Sequence, residues 1–154
     1  MINLVSDHAE VALRLFAAVA CGSLVGLNRF LRRKSAGMRT HGMVALGAAL
    51  ATVMASQMDS VDSVGRVAQG LVTGVGFIGA GVIMRSGESR VTGLTTAASI
   101  WTCAILGICC GAASFDAAFI GVVLVLFLLL FGKRIESGIA TLLKDEHHVD
   151  EPDE

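Results

Sequence analysis

The chain has 154 residues, of which 54% are hydrophobic and 16% are charged, and its formal net charge is -1. Soluble domains carry about 25% charged residues, so this composition excludes an ordinary soluble globular protein and predicts an integral membrane protein. Because a spanning helix takes about 20 residues, the length allows about five helices with short loops and only one folded domain.

Uncharged runs predict five membrane-spanning helices, at 11–27, 42–58, 67–84, 95–112 and 117–131. The predicted fold class is therefore all-α, a polytopic bundle of transmembrane helices. We place the membrane domain at 1–132 and a short acidic cytoplasmic tail at 133–154. The first run follows acidic residues and has no convincing cleavage site, so we expect this span to remain in the mature protein.

Charges in the loops alternate in sign along the chain. Basic residues follow the first, third and fifth predicted spans, whereas Asp59, Asp62 and Asp116 lie in the other loops. Since cytoplasmic loops carry an excess of Lys and Arg, this pattern predicts an N-terminus outside and a C-terminus in the cytoplasm. The basic string at 32–34 is explained as a topology signal, and it is also a candidate contact for anionic lipid headgroups.

Glycine-rich stripes predict close helix packing in the membrane. Although glycine costs about 1 kcal/mol per helix position in water, small residues let helices approach closely in lipid. We expect the first and third spans to pack together through these stripes, with the third helix central and the leucine-rich fifth peripheral. The predicted packing residues are Gly22 and Gly26 in the first span and Gly70, Gly74, Gly76, Gly79 and Gly81 in the third.

Polar side chains concentrate where the predicted helices reach the cytoplasmic side. If the first and third spans pack together, arginine and hydroxyl donors meet there in one shallow pocket that favours anions. The alternative interpretation is that helix ends are ordinarily polar, with Thr40 or Thr95 as caps. The residues concerned are Asn28, Arg29, Arg39, Thr40 and His41 around the first loop, and Arg85, Thr95 and Thr96 around the second.

Four residues inside the predicted spans are further functional candidates, namely Gln69, Ser99, Trp101 and Cys103. Gln69 and Trp101 carry N–H groups that are costly to leave unpaired in a membrane, so each is predicted to bond a neighbouring helix. Ser99 and Cys103 share a polar stripe of the fourth span, although the cysteines are first interpreted as small packing residues. Arg14 is expected to extend outward from the first span, with a role inside the bundle as the alternative.

The sequence contains an apparent enzyme motif, but its surroundings do not fit that motif. Gly74, Gly76 and Gly79 spell the GxGxxG of dinucleotide-binding loops, but they lie inside an uncharged span without the strand and acidic residue of that motif. The sequence offers no general acid and base pair, activated nucleophile or metal-ligand cluster for a common pocket. We therefore expect a protein that is not an enzyme, with no catalytic residue, metal, cofactor or nucleic-acid partner.

Two separated blocks of the sequence resemble the MgtC/SapB family of bacterial inner-membrane proteins. The first block comprises 26–29, 36–40 and 44–47, and the second comprises 66–69, 74–81, 93–98 and Trp101. Asn28 departs from the family pattern, in which glutamate commonly precedes the arginine. The chain is similar to the short SapB-like form, and we expect no soluble cytoplasmic domain of the MgtC branch after Gly132.

The resemblance implies a multi-pass regulator in the bacterial inner membrane that acts on other membrane machines, ATP synthase among them. It also implies a role in adaptation to magnesium limitation and in virulence through survival inside phagocytes. We expect such a regulator to bind its partners through glycine-rich faces and basic inner loops, and a homo-oligomer is compatible with it.

The alternative function is a small transporter or channel for magnesium or for an anion such as phosphate. It requires a polar path from one side of the membrane to the other. The absence of Asp and Glu from the predicted spans weakens the magnesium form, because Mg²⁺ is usually held through carboxylates. The residues that could line such a path are Thr52, Ser56, Gln69, Thr73, Ser99 and Thr102.

Overall fold

The computed structural model describes residues 4–58, 62–86 and 90–146. They form α1 (Leu4–Leu31), α2 (Met38–Ser56), α3 (Ser63–Val82), β1 (Met84–Ser86), β2 (Arg90–Thr92), α4 (Leu94–Gly111) and α5 (Phe115–Glu146). The two strands make an antiparallel hairpin in which Arg85 lies opposite Val91. The predicted all-α membrane bundle is confirmed, and the short hairpin between α3 and α4 is an addition to it.

Each predicted span coincides with an observed helix, although the helix ends differ. Within the described residues, three segments are long and apolar enough to cross a membrane, namely His8–Leu31, Leu94–Gly111 and Phe115–Ala140. The predicted third span extends two residues too far, because α3 ends at Val82 and Ile83 is already in an extended conformation. α5 continues past residue 132 to Glu146, so the first part of the predicted tail is helical. Residues 147–154 lie outside the described part of the chain.

α4 is the central helix of the bundle. It contacts α1, α2, α3 and α5, whereas α3 packs mainly against α4 and α2. The prediction of a central third helix is therefore wrong. The physical reason is the side-chain size on α4, whose buried residues include Ser99, Cys103, Ala104, Gly107 and Gly111. Small residues around this helix let its neighbours approach on several sides. α5 packs against α1 and α4 and leaves most of its side chains exposed.

Glycines of α1 and α4 lie against the backbone of α2. A methyl group built on Gly22 would lie 2.5 Å from the carbonyl oxygen of His41, and one on Gly26 would lie 2.6 Å from a Cα atom of α2. Gly107 and Gly111 meet α2 backbone atoms in the same way. Since backbone atoms cannot move aside as a flexible side chain can, a larger residue at these positions would separate the helices.

The glycines of α3 lie mostly on an open face. Methyl groups on Gly70, Gly74, Gly76 and Gly81 would meet no atom of the described chain within 4 Å, and Gly79 makes only ordinary contact with α4. The expectation that α1 and α3 pack through their glycine stripes is wrong. The glycine stripe of α1 is already occupied by α2.

Arg14 bonds inside the bundle, contrary to the expectation that its side chain extends outward. Its Nη1 donates to the carbonyl oxygen of Gly111 at 3.0 Å, and its Nη2 pairs with the carboxylate of Glu10. The last carbonyl groups of a helix lack intrahelical partners, and a cation there complements the helix dipole. Arg14 therefore links α1 to the C-terminal end of α4.

We expect Gly107→Ala to destabilise the bundle, because the added methyl group would overlap the carbonyl oxygen of Ala45. Overpacking of this kind costs about 1–3 kcal/mol. The control is Gly76→Ala, a helical glycine with open space around it, which should be neutral or stabilise by about 0.5–1 kcal/mol. Thermal unfolding of the purified protein in detergent compares them, and equal Tm values for the two variants would contradict the packing of α4 on α2.

Candidate functional site

A buried polar cluster joins three helices near the loop between α1 and α2. It consists of Arg29 of α1, His41 of α2, and Thr96 and Ser99 of α4, and we call it the polar junction. The residues are almost inaccessible, with 4% of Arg29 and none of His41 exposed. Buried polar groups are costly unless they are hydrogen-bonded, so their partners decide whether this cluster is stable.

The polar junction is held by hydrogen bonds from α1 and α2 to α4. Arg29 Nη2 donates to Thr96 Oγ1 at 2.6 Å. His41 Nδ1 lies 2.9 Å from the carbonyl oxygen of Gly37, and its Nε2 lies 2.9 Å from Ser99 Oγ. Because a carbonyl oxygen only accepts, Nδ1 donates to Gly37, and when the ring is neutral its Nε2 is an acceptor for the Ser99 hydroxyl. That hydroxyl is also 2.8 Å from the carbonyl oxygen of Thr96, so two acceptors compete for one proton.

The local sequence explains how these side chains meet. Gly26 lies one helical turn before Arg29, and Gly22 lies two turns before it. Both glycines let the start of α2 approach α1. On α4, Thr96 and Ser99 are three residues apart, which places both on one face of the helix. The two glycines and the three-residue spacing therefore bring groups from separate parts of the chain into one cluster.

The guanidinium of Arg29 is only partly satisfied. Among the described residues its Nε is buried without a hydrogen-bond partner, and the Oδ1 of Asn28, the preceding residue, is also buried without one. The ion pair found among the described residues joins Arg14 to Glu10 and does not involve Arg29. A buried charge without a counter-ion is strongly destabilising. Asn28 supplies no carboxylate at the position where the resemblance predicts glutamate.

A cavity of about 600 Å³ opens beside the polar junction, and we call it the basic cavity. Among its described lining residues the only acidic one is Glu136. The first turn of α4 also lines it, and no side chain of the described residues caps that helix terminus. The basic cavity therefore combines several positive charges with the positive end of a helix dipole. Its cationic residues are Arg29, Arg32, Arg33, Lys34 and Lys133.

A larger, mostly apolar groove of about 900 Å³ lies among α1, α2 and α3. Arg39 and Thr40 line this groove and not the polar junction. Thr95 lines the basic cavity, so the structure divides the predicted boundary cluster between two sites. The backbone of Arg85 lies in β1, in the hairpin between α3 and α4.

The candidates inside the spans have different environments. Cys103 packs in an apolar cluster with Val25 and Leu106, as a small packing residue does. Gln69 is exposed on α3, and Trp101 is 43% exposed on α4. In the described part of the chain neither side chain bonds a neighbouring helix, contrary to the prediction, because both point away from the core of the bundle.

The contribution of α5 to the basic cavity was not anticipated from the sequence. Lys133 and Glu136 line the cavity, although the sequence indicated Lys133 only as a topology signal. Their three-residue spacing at the end of the last span places them on one helix face. That spacing is a signal for a shared face, but it does not reveal which helix end lies opposite.

Comparison with known proteins gives a consistent family relationship. The MgtC family matches residues 15–138 of the chain. Protein MgtC of Salmonella typhimurium is 45% identical over 114 residues, which cover 74% of this chain and 48% of that protein. The chain therefore spans about half the length of that relative.

Two other relatives cover more of their own length. Protein SrpB of Synechococcus elongatus is 38% identical over 143 residues, covering 84% of this chain and 79% of that protein. A protein named Putative magnesium transporter YhiD from Escherichia coli is 41% identical over 130 residues, covering 79% of this chain and 60% of that protein. No solved structure matches the chain.

We expect Thr96→Val to lower the free energy of unfolding by about 1–3 kcal/mol, because it removes the hydroxyl that accepts from Arg29 and leaves the buried donor unpaired. Thr95→Val makes the same chemical change at the adjacent exposed position, where the effect should stay within about 0.5 kcal/mol. Denaturant titration in one detergent measures both variants. A similar loss of stability in the two would show that the bond to Arg29 does not stabilise the polar junction.

Proposed function

The chain belongs to the MgtC family, and we propose that it is a non-enzymatic regulator that acts by binding other membrane proteins. Its three long apolar segments make it a membrane protein. We further propose that all five helices cross the bacterial inner membrane, with the N-terminus outside. The clustering of basic residues from α1, α5 and the first loop around one cavity supports this orientation, because cytoplasmic ends are enriched in Lys and Arg.

The observation that carries the proposal is the open face of α3. We call Gly70, Gly74, Phe77 and Gly81 the α3 face, and Gln69 lies on the adjacent stripe of the same helix. A Cβ built on any of the three glycines would meet no neighbouring atom of the described chain within 4 Å, and Phe77 is 85% exposed. Contact with lipid tails does not require glycine, whereas close packing against a second helix does. The α3 face therefore has the composition of a helix interface without a helix against it in this chain.

Gln69 indicates the chemistry of the missing partner. Its side-chain amide is exposed on a helix within an apolar run, where an unsatisfied amide is costly. Polar side chains in membrane helices commonly hydrogen-bond across to a neighbouring helix. The partner that fits is a transmembrane helix with small residues along one stripe and a hydrogen-bonding side chain opposite Gln69.

The position of the polar side chains favours a regulator over a transporter. The hydroxyls of Thr52, Thr73 and Thr102 donate to carbonyl oxygens of their own helices, which satisfies them locally. Thr52 is buried in the core, whereas Thr73 is exposed on α3, so these side chains do not converge. Transport remains the second candidate, since one relative is named Putative magnesium transporter YhiD.

The family relationship supports a physiological setting for this binding. We propose that the protein supports growth under magnesium limitation and, in a pathogen, survival inside host cells. A multi-subunit membrane machine such as ATP synthase is the kind of partner that supplies many transmembrane helices. A second copy of this chain is the rival occupant of the α3 face.

We expect Gly74→Leu to leave the fold intact and to abolish partner binding, because the new side chain would start from a Cβ that meets no neighbouring atom of the described chain within 4 Å and would project from the α3 face. Photo-cross-linking in native membranes measures the interaction, with the photoreactive residue at Thr73 and, for comparison, at Leu124 on α5. A cross-link to a different membrane protein at Thr73, absent in Gly74→Leu, is the expected result. Growth at low Mg²⁺ should fall in parallel.

The matched control is Gly138→Leu, which makes the same substitution at a helical glycine that also has open space around it. It should retain both cross-linking and growth. A cross-link only to a second copy of the chain would assign the α3 face to a homo-oligomer and contradict the proposed partner. Saturable flux of Mg²⁺ or phosphate into liposomes containing the purified protein alone would replace the regulator with a transporter.

A further inference from the structure

We propose that the basic cavity binds a phosphate-bearing anion and that Arg29 is the buried ligand of its phosphate group. This site is lined by α1, the loop after it, β2, α4 and α5, with Val82 at the end of α3. None of the residues of the α3 face lines it, so it does not depend on the proposed partner. The phosphate group is either free inorganic phosphate or the headgroup of an anionic lipid, since both present the same chemistry to the cavity.

The first step of the argument is the missing counter-ion of Arg29. Its side chain is buried, its Nε has no hydrogen-bond partner, and its one described bond goes to the neutral hydroxyl of Thr96. The acidic residue of the described cavity lining, Glu136, is exposed and forms no ion pair with Arg29 among the described residues. A guanidinium in this position gains most from an anion that it can bind through several N–H groups, as phosphate is bound.

The second step is the position of Arg29 relative to α4. Through its bond to Thr96, the guanidinium lies at the first turn of α4, where free amide groups create the positive end of the helix dipole. A cation is unfavourable at this end of a helix, whereas an anion is favourable. The two positive features face the same cavity, and an anion between them would satisfy both.

The third step is the shape and lining of the cavity. Its volume of about 600 Å³ is within the usual size of small-molecule sites, about 300–1,000 Å³. Lys133 and the basic string at 32–34 line the cavity with cationic side chains that are exposed. Leu128 and Leu129 line one wall and provide an apolar surface on which the acyl chain of a lipid could lie.

Asn28 makes the proposal specific to this chain. Its Oδ1 is buried without a hydrogen-bond partner among the described residues, and it immediately precedes Arg29 in α1, so a carboxylate at this position would add a buried negative charge next to Arg29 in the sequence. The carboxylate introduced by Asn28→Glu is therefore expected to weaken anion binding to the basic cavity. The substitution replaces a neutral amide with a carboxylate, which Arg29 lacks as a partner among the described residues.

The test measures anion binding to the delipidated protein in a zwitterionic detergent. Isothermal titration with inorganic phosphate and, separately, with dihexanoyl phosphatidic acid distinguishes the two sources. Lys133→Gln should weaken binding about fivefold, as expected for one basic residue near a membrane surface. Arg134→Gln removes the adjacent charge, which is exposed but does not line the cavity, and should change affinity less than twofold. Asn28→Glu should weaken binding at least as much as Lys133→Gln.

Each outcome of these titrations either supports or overturns the proposed anion site. Saturable binding of inorganic phosphate with this order of variants assigns the site to a soluble anion, and binding of the lipid analogue alone assigns it to a headgroup. Binding of neither probe by folded protein overturns the proposal. Equal weakening of binding by Lys133→Gln and Arg134→Gln would show that diffuse surface charge, and not a defined site, attracts the anion. Unchanged affinity in Asn28→Glu would show that Arg29 is not the ligand of the phosphate group. Thermal unfolding of each variant confirms that the protein compared is folded.

Discussion

The structure depends on the close approach of α1 and α4 to the backbone of α2. Gly22 and Gly26 from one side and Gly107 and Gly111 from the other leave no room for a side chain against that helix. In a membrane, where lipid tails are as apolar as the core, such contacts replace the hydrophobic effect as the force that holds helices together. The spacing they impose also decides which polar groups can meet at the end of the bundle.

The polar junction is a direct consequence of this spacing. His41 stands at the start of α2, close to the glycines of α1, and reaches Ser99 on α4. Arg29, one turn beyond Gly26, reaches Thr96 on the same helix. A separation larger by one methyl group would leave these donors without acceptors inside the protein, at the cost of a buried unpaired polar group. Packing and hydrogen bonding therefore depend on each other in this region.

The same residue type has two different roles in this bundle. α2 occupies the space beside the interface glycines of α1 and α4, whereas most glycines of α3 have open space beside them. Buried glycines explain the architecture, and the exposed ones on α3 are the surface that we propose as an interface with another molecule. The charges show a similar asymmetry, because Arg14 is paired within the chain while Arg29 lacks an acidic partner among the described residues. The unpartnered surfaces lie on separate parts of the molecule, the α3 face and the basic cavity.

The sequence by itself determined the membrane class, the number and approximate position of the helices, and the polar residues Arg29, His41, Thr96 and Ser99, since apolar runs and charge placement are local properties. Only the tertiary structure decided that α4 is central, that α2 and not α3 fills the glycine stripe of α1, and that Lys133 joins the first loop at one cavity. A glycine stripe indicates that another helix can pack closely against it, but it does not indicate which helix. That choice depends on the combined shapes of five helices, which no single segment contains.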